Sequence, residues 1–168
     1  MVHYKNLYAG TIDLLCGVPE ITTELEFNEE THTYTLNGKI LPSVTKLLDD
    51  GTYNKVNEYA LERARQRGHE IHKEIENYFK KGELGDTKEF YEAISLIEKN
   101  KELLQEPSII DFKTYANATT TNKEKCLRQE KKYSKAVKEL TKVKIKNYIM
   151  IHLPKDKKGS LIILRREN

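Results

Sequence analysis

The chain has 168 residues, a net charge of +3, 33% charged and 38% hydrophobic residues and no tryptophan. That is the balance of one globular domain, here taken as residues 1–168, rather than a disordered tract or a membrane-embedded protein. No apolar run approaches the roughly 20 residues of a spanning helix, and Met1-Val2-His3-Tyr4-Lys5 lacks the apolar stretch of a secretory leader, so a cytoplasmic protein with no membrane partner is expected.

The two cysteines, Cys16 and Cys126, are too few and too far apart for a disulfide framework or a cysteine metal pair. Charge is unevenly distributed. Residues 112–168 hold 16 Lys/Arg against 5 Asp/Glu, whereas residues 1–111 hold 13 against 21. A basic C-terminal part is suited to phosphate polyanions through counterion release, and equally to a solvated lysine-rich helix face.

The first apolar stretch, Leu7 to Val18, contains Gly10 and ends at Gly17 and Pro19, which predicts a strand followed by a turn. Asn37-Gly38 between His32–Leu36 and Lys39–Leu41 predicts a hairpin. Pro42-Ser43 opens a short helix toward Leu48. A longer helix is predicted from about Lys55 to Phe79, with Val56, Tyr59, Ala60, Ala64, Ile71, Ile75 and Phe79 near helical spacing. Another runs from about Lys88 to Leu104 on the stripe Phe90, Ile94, Ile97 and Leu104. Pro107 ends it, and Ser108–Lys113 reads as a strand. A lysine-rich helix follows over about Lys123 to Leu140, then strands at Asn147–Leu153 and Ser160–Leu164. The whole predicts an α+β domain with a small mixed sheet flanked by helices.

The candidate chemistry starts from Asp111-Phe112-Lys113. Alternate strand residues share a face, so Asp111 and Lys113 point together and Phe112 points into the opposite layer. Such a pair is also a common surface ion pair. A second carboxylate, Asp13, interrupts an otherwise apolar strand, where it needs a partner, a metal ion or solvent. Two acidic groups from neighbouring strands form a hard-oxygen site for Mg²⁺ or Mn²⁺. Such an ion polarises a phosphodiester and acidifies an attacking water, with Lys113 stabilising charge or orienting that water. On the long helix, Gly68 precedes His69 and His72, and His72 shares a face with Glu76. The His69–His72 spacing is not that of a zinc protease. On the basic helix Gln129 and Tyr133 also share a face, as nucleic-acid contacts or as plain polar surface.

Together these residues resemble the PD-(D/E)XK nuclease superfamily, in its RecB-like and phage exonuclease branch. Gly68-x-x-x-His72 is similar to the helical histidine motif. Ala9-Gly10-Thr11-Ile12-Asp13 is similar to the strand carrying the first metal-binding aspartate, and Ile109–Thr114 to the (D/E)-x-K strand. Gln129-x-x-x-Tyr133 is similar to the Gln-x-x-x-Tyr motif of that branch, and Asn28 to Leu47 to the lead-in of its phage members.

The order differs. Here the Asp13 strand comes before the histidine helix, as in a circular permutation, and only Glu106, Pro107 and Ser108 occupy the gap where the family has it. The resemblance implies a circularly permuted restriction-endonuclease-like core and a metal-dependent DNA nuclease, such as an exonuclease of phage or mobile-element recombination acting in the host cytoplasm. Asp13, Asp111 and Lys113 would be catalytic, and Asp13, Asp111 and His72 would hold Mg²⁺ or Mn²⁺. Gln129 and Tyr133, with Lys125, Arg128 and Lys132, would contact DNA. The family often has a further glutamate just before the aspartate strand, for which Glu106 and Glu76 are the candidates here. The Asp13 strand must pair beside Asp111, within one chain or across a swapped homodimer. The alternative function is an inactive nuclease-fold protein that binds nucleic acid or inhibits another nucleic-acid enzyme.

Overall fold

The computed structural model describes residues 1–49 and 57–168. Its centre is a four-stranded mixed sheet of β3 (Leu14–Cys16), β7 (Ser108–Lys113), β8 (Asn147–His152) and β9 (Ser160–Arg166), in the order β3-β7-β8-β9. β7 and β8 are parallel and fully or nearly fully buried, as expected for neighbours joined by a helical crossover. β3 and β9 run antiparallel to them along the two edges.

The crossover is α4 (Thr120–Thr141), capped by the Thr119 side chain. It lies on one face of the sheet, where Tyr133, Ala136 and Val137 pack on Ile109 and Tyr148. The other face is covered by α2 (Glu58–Lys81) and α3 (Lys88–Lys99), through Ile71, Ile75, Phe90 and Ala93 against Ile110, Phe112, Ile149 and Ile151. β7 therefore sends Ile110 and Phe112 to one layer and Ile109 and Asp111 toward the other, the alternation expected of a central strand.

Two smaller sheets flank this core. β1 (Val2–Tyr4) and β2 (Tyr8–Gly10) form a hairpin that packs on α4 through Val2 and Tyr8. β4 (Glu26–Asn28), β5 (Thr33–Leu36) and β6 (Lys39–Leu41) form an antiparallel sheet. Its Asn37-Gly38 turn has φ of 50° and 76°, the positive values of the tight hairpin turn that this dipeptide favours. Short helix α1 (Val44–Leu47) follows, capped by Ser43.

The α+β class and the mixed sheet flanked by helices are as the sequence predicts. Two of the predicted elements differ in extent. The single strand predicted over Leu7 to Val18 is two strands, β2 and β3, interrupted at Thr11-Ile12-Asp13. The helix predicted to reach Leu104 ends at Lys99, and a separate 3-10 turn occupies Leu103–Gln105. The predicted start of the long helix at Lys55 and Val56 lies outside the described residues. No described helix is long and apolar enough to cross a membrane.

Candidate metal centre and active site

β3 ends at Leu14, opposite Ile110, while β7 continues to Lys113. The backbone of Phe112 therefore runs past the end of its neighbour and would be left unpaired on that edge. Two side chains take over. The Phe112 N–H donates to Asp13 Oδ2 at 2.9 Å, and the Phe112 carbonyl accepts from His72 Nε2 at 2.8 Å. β3 pairs beside β7, and the end of this β ladder is where Asp13 and His72 meet Asp111.

Because a carbonyl only accepts, His72 must carry its proton on Nε2 when neutral, which leaves a lone pair on Nδ1. Nδ1 lies 3.6 Å from Asp13 Oδ1. Burial pushes the imidazole pKa down, outweighing the nearby Asp111 charge and the Phe112 carbonyl. The neutral ring with an inward lone pair is therefore the favoured form. Gly68, one turn earlier, brings α2 up to the end of β7: a Cβ there would lie 3.2 Å from Thr114 Oγ1.

Asp111 is buried and accepts at Oδ2 from Lys113 Nζ at 2.8 Å and from the Cys126 thiol at 3.4 Å. It also shares a hydrogen bond with Asp13. Burial works to raise both carboxyls, but their neighbours separate them. For Asp111 the Lys113 ammonium and the hydrogen bonds from Asp13 and Lys113 outweigh burial and hold the pKa below the ordinary range. For Asp13 burial dominates, the Asp111 charge adds to it, and the pKa rises well above that range. Asp13 therefore holds a proton directed at ionised Asp111, the behaviour of two carboxyls sharing a site. Lys113 stays charged: the Asp111 charge and its hydrogen bond to Lys113 help outweigh the lysine's own burial and raise its pKa.

Gln129 and Tyr133 turn inward. Lys113 Nζ donates to Gln129 Oε1 at 3.3 Å, and Gln129 Nε2 donates to the Tyr133 hydroxyl at 3.2 Å. The motif on α4 thus fixes the lysine, with Tyr133 itself buried. A cleft of about 360 Å³ opens beside Lys113, between α1 and α4, with Tyr115, Lys125, Arg128 and Gln129 on its walls. Lys132 is not among its lining residues; its ammonium sits 5.1 Å from the centre of the Tyr8 ring.

The suggested glutamates do not reach this centre. Glu106 precedes the opposite end of β7 and is held by Asn147, Lys146 and Arg166. Glu76 pairs with Lys80 on the exposed side of α2. Cys126 and Glu130 went unmarked in the sequence, although with Tyr133 and Val137 they recur at the spacing of a buried helix stripe.

Two facing carboxyl groups and an inward imidazole lone pair fit a hard divalent cation in donor type. Among the described residues, however, no three His, Cys, Asp or Glu side chains converge, as they stand, into a set that could hold a metal ion. No family model, curated protein or solved structure matches the chain.

Proposed function

We propose that the chain is a divalent-metal-dependent DNA nuclease built on a circularly permuted restriction-endonuclease-like core. The observation that carries this reading is the meeting, at one strand end, of Asp13, Asp111, His72 and the fixed ammonium of Lys113. Asp13, Asp111 and His72 would hold Mg²⁺ or Mn²⁺, which when bound polarises a phosphodiester and acidifies water. The residues of the chain do the rest. Lys113, charged and held by Gln129, lines the cleft, where it would stabilise negative charge on a phosphate oxygen. Lys125 and Arg128, exposed on the same wall, contact the DNA backbone.

The purified chain is expected to degrade fluorescently labelled DNA with Mg²⁺ or Mn²⁺ and not with EDTA. Lys113→Met and Asp111→Asn are each expected to lower the rate at least a hundredfold. Cleavage by both variants at the parent rate would sink the assignment. The alternative, an inactive relative that only binds nucleic acid or blocks another enzyme, draws support from the carboxyls being satisfied by Lys113, Cys126 and each other. It predicts salt-sensitive DNA binding and no cleavage with any divalent ion.

A further inference from the structure

Glu130 is an anomaly in α4. Its side chain is fully buried (0% exposed), and among the described residues neither carboxyl oxygen has a hydrogen-bond partner. The Ile149 amide acts to lower the carboxyl's pKa, without completing a bond. Buried carboxyls in folded proteins are paired, because leaving one alone costs several kcal/mol if it is ionised. An orphan of this kind calls for a ligand or a function.

Its position points to one. Glu130 lies one helical turn after Cys126, on the same face, and the Cys126 thiol touches Asp111. Side chains on a helix lean toward its N-terminus, so Glu130 leans toward Cys126 and hence toward Asp111. The Asp111 charge is near enough to add to the effect of burial in keeping Glu130 protonated. The Lys113 ammonium acts on it in the opposite sense, lowering its pKa.

We infer that Glu130 is the third carboxylate of the metal centre, taking up a divalent cation together with Asp13 and Asp111. This rests on the nuclease-site reading above. Turning onto an ion sacrifices no existing hydrogen bond, which is not true of Glu106 or Glu76. Charge supports it as well. With Asp13, Asp111 and Lys113 all ionised, a bound divalent cation leaves one net positive charge in a buried site, and an ionised Glu130 cancels it.

The test is calorimetric titration of Mn²⁺ into the parent, Asp111→Asn and Glu130→Gln, with thermal midpoints measured with and without the ion. Glu130→Gln keeps the shape and is expected to fold, to bind Mn²⁺ at least tenfold more weakly, and to lose most of the metal-induced rise in midpoint. Glu130→Met, which removes the orphan polar group, is expected to melt no lower than the metal-free parent and to show the same loss of affinity. If Asp111→Asn abolishes binding while both Glu130 variants bind within twofold of the parent, the inference is overturned and the nuclease-site reading stands. If the parent takes up no Mn²⁺, or Asp111→Asn binds it as the parent does, both fall.

Discussion

Asp13 and Asp111 are the same chemical group in contact with each other, yet their neighbours drive them apart. Asp111 faces the Lys113 ammonium, whereas Asp13 faces a backbone amide and an imidazole lone pair. A folded-state pKa raised above the unfolded value means that the folded chain binds more protons than the unfolded one between those two values. Stability from that group is present below the unfolded value and falls as pH rises toward the folded one. Asp13 therefore removes stability from the metal-free protein above the ordinary carboxyl range. Asp111, lowered, acts in a separate window below that range, where its contribution is lost as pH falls. His72, also lowered, costs stability as pH falls below its unfolded value, and that effect is common to parent and variant. Asn at position 13 keeps an acceptor for the Phe112 amide and a donor for Asp111, mimicking the protonated acid. Asp13→Asn is thus expected to gain stability relative to the parent as pH rises above about 4, with little difference at pH 3. Denaturant melts in EDTA across that range check it; a constant difference would show that Asp13 is not protonated in the fold.

At the scale of elements, legibility tracked how local the cause was. Ser108–Lys113 was readable to the residue because Pro107 stops what precedes it and the side chains alternate cleanly. The Asn37-Gly38 hairpin was readable from two residues. β1 was not, because its turn places Lys5 and Asn6 at positive φ (44° and 55°) without a glycine to announce it. The break between β2 and β3 was also hidden, since Asp13 leaves the ladder to bond Phe112, 99 positions away. In the site, Asp111 and Lys113 stood out by spacing alone, whereas Glu130 reads as one more charge in a lysine-rich helix until its burial is known. A second contact between distant parts of the chain holds β3 in place. Gly17, just after it, has φ of +64°, and a Cβ there would fall 2.6 Å from the Glu106 carbonyl carbon and 2.7 Å from the Gln105 oxygen. Those are backbone atoms, which cannot step aside as a flexible side chain would. Gly17→Ala is expected to cost about 1–3 kcal/mol and to weaken Mn²⁺ binding by lifting Asp13 away from Asp111. Urea denaturation alongside calorimetry tests both parts; unchanged stability would mean that the close approach of β3 to the Leu103–Gln105 turn is not what seats the strand.

Across the whole molecule, the proposed DNA binding would draw on the basic excess of residues 112–168 at a defined place. Of the cations on α4, Lys125 and Arg128 line the cleft beside Lys113, while Lys132 is drawn onto Tyr8. Lys138 is exposed on the same helix, roughly 15 Å further along its axis than Arg128. That exceeds the Debye length of about 8 Å at physiological salt. A DNA strand seated in the cleft should therefore release counterions through Lys125 and Arg128 and only weakly through Lys138 or Lys144. Each phosphate contact contributes about 0.9 to the slope of log K against log salt for duplex DNA and about 0.7 for a single strand. The double variant Lys125→Ala/Arg128→Ala is expected to reduce that slope by roughly 1.5–2, measured by fluorescence anisotropy in EDTA so that binding is read without cleavage. Lys138→Ala/Lys144→Ala, which removes the same formal charge, is expected to change it by less than about half a unit. Equal losses from the two pairs would mean that DNA responds to the charge of the C-terminal part as a whole, and the cleft would lose its claim as the place where the strand meets Lys113.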